Sequence, residues 1–539
     1  MGSKRLITGV LAAVAVTGAL RAESLMDRPY DDWTQSVDTA VVLPAGERPQ
    51  FLFDPEIIAN FSTGDQFAPY YIVSNAGALT TNANGIAAYL HAERPLERRD
   101  RLEYGYGVGV LAGYHNQLDY SRYNPQTKDF FINPTNHGTL SLRELWAGIK
   151  WRSLFLYAGM KPEERSLFNQ RLGVGDLVMS DNARPVPQVR AGFIDFQDIP
   201  FTRGWVQIQG EVAWGKFSDN GWLEDRFNYY NSFYTTGVWM HYSRCYFRTN
   251  PRMPFYVTVG MQQATQFGGT WHQWRDGHEY ASHHTDVRFK DFINALFPWT
   301  GGSSDSEGDQ AYYSGNHLGS WDLMLTYRFR NGSTLKGYMQ SPWEDGSGIG
   351  KLNGWDGVWG LEYSFAPGTP IIKTVLAEYV DLTNQSGPMH WAPGDFPGTQ
   401  VTGQATGADD YYNNYMYNGW ANYGRSIGTP FVKGTMYNRD GYLRFTDNRV
   451  RGFQLGAEGS VGQLLDWRAL FSYRTSWGTP LLPSLEKRHD TSMLLEAAHN
   501  VHAVKGLRVG LQIAWDAGNL YEGQFGALLK VRYTLPVKF

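Results

Sequence analysis

The C-terminal stretch constrains the fold most. Phe525, Ala527, Leu529, Val531, Tyr533, Leu535, Val537 and Phe539 fall on one face, and Gln524, Lys530, Arg532, Thr534 and Lys538 fall on the other. A period of two is the signature of a strand with one apolar and one polar side. Pro536 stands near the end, at a strand margin where a missing N–H is tolerated. Eight apolar residues on one face exceed the half-buried strand of a small soluble sheet and suit a lipid-facing wall.

Other segments repeat the pattern. Leu102, Tyr104, Tyr106, Val108, Val110 and Ala112 alternate with Gly105, Gly107 and Gly109, small residues that leave room on the inner side. Val206, Ile208, Val212 and Trp214 oppose Gln207, Gln209 and Glu211. Trp321, Leu323, Leu325, Tyr327 and Phe329 oppose Asp322, Thr326, Arg328 and Arg330. Asn331-Gly332 then reads as a hairpin turn, and Leu335 and Met339 return opposite Lys336, Tyr338 and Gln340. The fold expected is all-β: a transmembrane antiparallel β-barrel of about eighteen strands, the first at 67–75 and the last at 524–539.

Parity tests this count. Every second connection should be a short periplasmic turn. Leu96–Arg101, Arg152–Ser153, Asp198–Gly204, Arg248–Met253, Asn331–Gly332, Ala366–Pro370, Val461–Asp466 and His502–Gly506 fit. The long connections 162–189, 267–320 and 382–450 then lie on the extracellular side, and the last has room for two further strands around Thr429–Thr446.

Composition agrees. Aromatics make up 15% of 539 residues, with 33 Tyr, 19 Trp and 60 Gly, a mix suited to strands, turns and water–lipid interfaces. Net charge is −4 without a basic run, so no nucleic-acid partner is expected. Lys4 and Arg5 followed by the apolar Leu6–Leu20 read as a signal peptide over 1–22, cleaved after Ala22. No uncharged apolar run long enough for a transmembrane helix follows it. Residues 23–66 alternate poorly and are expected to form an N-terminal periplasmic segment or partial plug, with the barrel over 67–539. Cys245 is the only cysteine, so a disulfide framework is excluded.

Several loop motifs resemble a known family. Ser180-Asp181-Asn182-Ala183-Arg184-Pro185-Val186-Pro187, Gln266-Phe267-Gly268-Gly269, Glu344-Asp345-Gly346-Ser347-Gly348 and Gln385-Ser386-Gly387-Pro388 are similar to segments of the capsule-assembly Wzi family, in its Bacteroidetes form. So are Tyr411-Tyr412-Asn413-Asn414, Gly419-Trp420 and Ile427-Gly428-Thr429-Pro430. The resemblance covers the chain from about Phe67 onward, and the terminal Phe539 resembles the insertion signal of bacterial barrels. It implies an eighteen-stranded outer-membrane barrel with lectin-like behaviour toward capsular polysaccharide. Enterobacterial relatives carry an N-terminal helical bundle that closes the periplasmic mouth; no such bundle precedes Phe67 here.

The outer loops are rich in the residues that bind sugars. Aromatic faces stack on sugar C–H faces, and Asp or Asn bonds hydroxyls. Trp271, Trp274, Tyr280, Trp299, Tyr312 and Tyr313 occupy one loop. Trp391, Tyr411, Tyr412, Tyr415, Tyr417, Trp420 and Tyr423 occupy another, with Asp409, Asp410, Asn413 and Asn414 between them. The candidate polysaccharide ligands are Trp271, Trp274, Trp343, Asp345, Trp391, Tyr411, Tyr412, Asn413, Asn414 and Trp420. The same aromatics could instead pack the loops or form an interfacial girdle. His272, His278, His283, His284 and Asp286 match no metal-ligand spacing and read as a solvated loop. Residues 286–297 have the period of a short amphipathic helix, expected as a partial lid in the mouth.

No Gly-x-Ser-x-Gly elbow, His-Glu-x-x-His pair or phosphate-cradling loop appears, so neither catalysis nor a cofactor is expected. The expected role is a non-enzymatic barrel that binds surface polysaccharide within outer-membrane lipid and lipopolysaccharide. A porin or substrate-specific channel is the first alternative, and an outer-membrane hydrolase acting on lipid or glycan the second.

Overall fold

The computed structural model describes residues 51–96, 101–162, 166–296, 315–344, 346–369, 371–385, 389–390, 405–406, 409–462 and 464–537. The expected signal peptide, residues 23–50 and the terminal Phe539 lie outside them. Eighteen antiparallel strands close into one barrel. The first six are β1 (Phe51–Ser62), β2 (Gly85–Arg94), β3 (Leu102–His115), β4 (Gly138–Trp151), β5 (Leu154–Met160) and β6 (Gln188–Phe193). Next come β7 (Val206–Lys216), β8 (Trp239–Thr249), β9 (Phe255–Phe267), β10 (Asn316–Arg328), β11 (Thr334–Trp343) and β12 (Gly357–Ser364). The last are β13 (Ile371–Asp381), β14 (Val450–Val461), β15 (Leu465–Gly478), β16 (Pro483–Asn500), β17 (Leu507–Gly518) and β18 (Gln524–Tyr533). Leu535–Val537 resumes β18, and both pieces pair with β1, which closes the ring without a free edge.

The alternation read from the sequence is the in–out pattern of the wall. Leu102, Tyr104, Tyr106, Leu495, Phe525 and Leu529 are exposed on the outer face. Inward charges pair across neighbouring strands: Lys336 Nζ with Glu362 at 2.8 Å, Arg532 with Asp54 at 3.4 Å, and Arg244 with Glu211 at 2.5 Å. Glycine on the inner face of β3 makes room for large inward rings: a Cβ at Gly107 would come within 2.5 Å of the Trp146 indole nitrogen. All eight expected short turns join adjacent strands at one end of the barrel.

Two strand assignments need correction. The first strand is Phe51–Ser62, not 67–75, so the barrel begins within the expected periplasmic segment. Its pattern is masked by Asp54 and Glu56, which face the lumen and meet Arg532 and Lys530. Pro55 lies between the two pairing blocks of β18, where the ladder is already interrupted. Residues 67–73 carry no polar residue to alternate with the apolar ones, and their helical turn Tyr70–Val73 is buried on all four residues. One strand replaced another, so parity survived. The region Thr429–Thr446 contributes no barrel strand among the described residues, only a short helical turn at Thr435–Tyr437; the small hairpin Ala421–Asn422 with Arg425–Ser426 lies just before it. A third correction concerns the expected lid: the short helix Phe289–Asn294 forms, but it packs on the outer wall instead of in the mouth.

Candidate functional site

Three connections at the long-loop end turn inward and fill the lumen: residues 63–84 after β1, 166–187 after β5 and 409–449 after β13. Their apolar residues, including Ile72, Leu172, Val178, Trp420, Phe431 and Phe445, form one buried cluster with the inward wall residues Tyr242, Tyr338 and Leu528. Irregular backbone at membrane depth needs partners for its polar groups. The inner wall supplies them from several strands. Val174 N–H donates to Glu378 Oε2 at 2.6 Å, Leu177 N–H to Gln340 Oε1 at 2.7 Å, and Tyr70 N–H to Asp516 Oδ2 at 2.8 Å. Gln454 Nε2 donates to the Leu172 carbonyl at 2.6 Å, and Gln266 Nε2 to the Gly419 carbonyl at 3.1 Å.

The loop motifs converge inside this plug. Ser180 Oγ donates to the Gly428 carbonyl at 2.7 Å, and Asn182 Nδ2 to the Ser426 carbonyl at 2.9 Å. Thr429 Oγ1 donates to the Val174 carbonyl at 2.6 Å. Tyr412 hydroxyl donates to the Leu177 carbonyl at 2.5 Å, and Trp420 Nε1 to the Val178 carbonyl at 2.6 Å. Buried Arg425 donates to the Val73 carbonyl at 2.7 Å and thereby joins the first inward segment to the third.

The candidate sugar ligands therefore divide. Tyr411, Tyr412, Asn413 and Trp420 are buried in the plug. Asn413 brackets Phe445 with two hydrogen bonds, and the Tyr412 N–H donates to Glu344 Oε1 at 2.7 Å. Trp343 is fully buried at the end of β11. Asn414 is half-buried and bonds Asn316 at 3.4 Å. In this arrangement these side chains pack and brace the loops. Asp345 and Trp391 lie outside the described residues, as do Trp299, Tyr312 and Tyr313.

Trp271 and Trp274 lie elsewhere, in a small sheet of Ser232–Thr236, Gly269–Arg275 and His278–Thr285 above the mouth. Trp271 meets Phe233 edge-on at 5.6 Å, and Trp274 meets Tyr229 at 4.7 Å. Tyr229 carries Arg122 over its ring at 4.8 Å and approaches Tyr234, which stacks on His272 at 5.1 Å. The adjoining hairpin, Asp119–Asn124 with Asp129–Pro134, adds Tyr123 and Phe130, both against Tyr230 at 4.8 and 5.4 Å. These are three aromatic groups joined through chain neighbours, Tyr229 to Tyr230 and Phe233 to Tyr234, and together they make an aromatic ridge. Phe130, Tyr280 and Tyr415 are exposed at the outer rim. Sequence reasoning missed Tyr123, Phe130, Tyr229 and Tyr230 because they lie on a short hairpin and in the connection between β7 and β8, outside the three long connections. The sign was there: Tyr120, Tyr123, Phe130, Phe131 and Ile132 place strand-forming residues on both sides of Asn124-Pro125, a turn signal, between two wall strands.

Beside the plug, Asp356 accepts hydrogen bonds from the N–H groups of Asn384 (3.1 Å) and Gln385 (2.7 Å) and from the Tyr411 hydroxyl (3.1 Å). Burial nevertheless pushes its carboxyl up to about 6. Asp410, bonded by Asn448 and Asn413, is also raised by burial. The histidines pair locally, His272 with Glu279 at 2.9 Å and His284 with Asp286 at 3.4 Å. Among the described residues no group of three or more His, Cys, Asp or Glu side chains converges on a metal position.

No family model and no curated protein sequence matches the chain. Solved structures do. Wzi of Escherichia coli, an outer-membrane protein involved in group 1 capsule assembly and described as a carbohydrate-binding β-barrel, aligns at 12% identity and TM-score 0.52 over 90% of this chain and 85% of that one. The Pseudomonas aeruginosa OccK5 (OpdH) aligns at 10% identity and TM-score 0.41 over 90% and 98%. OpdK with vanillate, from the same organism, aligns at 12% and 0.41 over the same shares. The likeness to Wzi is one of fold, that of an outer-membrane barrel; the other two are too loose to add to it.

Proposed function

We propose that this outer-membrane barrel binds or organises capsular or other extracellular polysaccharide at the cell surface, as a Wzi-like protein of the Bacteroidetes form, after export with a cleaved signal over 1–22. The filled lumen carries this reading. Inward loops bonded to wall residues on several strands suit a fixed scaffold under a binding surface better than a diffusion path. The ridge through Trp271, Trp274, Tyr229, Tyr123 and Phe130 supplies the stacking faces, with Arg122 among them for hydroxyls or acidic sugars. The description of Wzi as carbohydrate-binding supports the substrate class.

Glycan-array binding of the purified barrel tests the proposal, paired with single-channel recording in planar bilayers. Polysaccharide retention without steady conductance is expected. A steady open pore with no glycan bound would instead establish the channel alternative. Product release from purified capsule or lipopolysaccharide would establish the hydrolase.

A further inference from the structure

The outer wall is not uniformly apolar. At the long-loop end of β3 and β4 the outward residues are Tyr114 and Leu140, both exposed. At the same end of β8, β9 and β10 they are His241, Gln263, Thr265 and His317, all buried. Polar groups on a lipid-facing wall are costly unless covered and bonded. Here residues 286–296 cover them. Gln263 Nε2 and Thr265 Oγ1 both donate to the Ala295 carbonyl at 3.0 Å, and Trp214 Nε1 donates to the Phe292 carbonyl at 3.2 Å. Phe292 sits edge-on between Trp239 at 5.1 Å and Phe267 at 5.4 Å.

A second stretch repeats the arrangement on β10 to β12. Trp321 Nε1 donates to the Ile349 carbonyl at 3.3 Å, and Trp359 Nε1 to the Trp355 carbonyl at 3.2 Å. By register Trp343 shares the outward face with Gly319, where a Cβ would lie 2.2 Å from its ring. The two stretches thus clasp the outer wall over five strands, β8 to β12, with Trp214 of β7 at the margin. They turn outward large apolar side chains, Phe289 82% exposed, Trp355 78%, Leu352 52% and Ile293 43%, beside exposed Asp286, Arg288, Lys290 and Lys351, the mixture of an interfacial segment whose charges stay at headgroup level. Farther down the same wall Phe247, Val259, Leu325 and Leu361 face lipid, so the exposed surface continues the lipid-facing belt.

We propose that residues 286–296 and 346–355 form a collar seated in the outer leaflet, with Phe289, Ile293, Leu352 and Trp355 among lipid acyl chains. The polar patch beneath is then the latch that fixes the collar, and the apolar side is its contact with lipid. This works as interfacial amphipathic helices and aromatic girdles do. A collar of this kind would set the height and tilt of the rim above the membrane.

Nitroxide labels at Phe289→Cys and Trp355→Cys, in a Cys245→Ala background, test it in phosphatidylcholine vesicles containing lipopolysaccharide. A label at Gln126→Cys, on the tip of the rim hairpin, is the aqueous reference. Both collar labels are expected to favour oxygen over a water-soluble nickel chelate, with loss of the chelate broadening seen at the tip. Chelate accessibility equal to that of the tip would overturn the proposal. So would dipolar broadening between labels of two molecules, which would assign the face to a second copy. Both sites are exposed, so neither substitution removes packing on which the barrel depends; the heat-modifiable mobility of the folded barrel provides the check.

Discussion

Replacing Trp420 with Ala should open the plug and leave the barrel standing. Trp420 is fully buried, meets Phe217 edge-on at 6.3 Å, and donates to the Val178 carbonyl at 2.6 Å. Burying a tryptophan removes roughly 200 Å² from water, which at about 25 cal/mol per Å² is up to ~5 kcal/mol. Measured Trp→Ala changes in cores span about 3–5 kcal/mol. The lost indole also orphans a buried carbonyl, a further cost of about 1–3 kcal/mol where no water replaces it. A net loss near 4 kcal/mol shifts a local equilibrium by about a thousandfold. That loss falls on the contact between 409–449 and 166–187, because the β-ladder is built of backbone bonds that Trp420 does not touch. The assay is planar-bilayer conductance beside heat-modifiable mobility and limited proteolysis. Flickering or larger conductance, new cleavage within 409–449 and unchanged barrel mobility are expected. Wild-type conductance together with wild-type protease resistance would refute the claim that this contact holds the plug.

Three further outcomes are expected. Trp271→Ala with Trp274→Ala should lower polysaccharide retention at least several-fold while mobility stays that of a folded barrel; unchanged glycan binding would remove the ridge from the site. Asp356 prefers its protonated form in the fold, so its contribution is full below the unfolded value near 4 and fades as pH rises through about 6. Protease resistance of 346–356 and 409–412 should therefore be higher at pH 5 than at pH 8, and Asp356→Asn should flatten that difference; an unchanged pH profile in the variant would count against the assignment. Gly107→Val should strain the wall, since a Cβ there would lie 2.5 Å from Trp146, at a cost of about 1–3 kcal/mol read as slower or incomplete insertion into vesicles; normal insertion would show that Trp146 moves aside.

The sequence alone determined the wall. Strand alternation depends only on neighbours two apart, and the in–out rule of a barrel in lipid turns it into topology; hence the residues from Gln524 to Tyr533, the inward glycines of β3 and all eight short turns were legible. The first strand was obscured because Asp54 and Glu56 find their partners at the far end of the chain, on Arg532 and Lys530. Only the tertiary structure decided what the loops do. An aromatic residue in a long loop has the same local sequence whether it meets sugar, lipid or the lumen. Its fate rests on distant partners: the Val178 carbonyl for Trp420, the Leu177 carbonyl for Tyr412, and the Tyr229 ring for Trp274. The motifs around Ser180, Tyr412 and Ile427 stood out in sequence as family-like loop segments, with Tyr412 a candidate sugar ligand, and the fold uses them to hold the plug together. Likewise the period of 286–297 specified a helix with one apolar side, and the outward polar patch on β8 to β10 determined the wall it would cover.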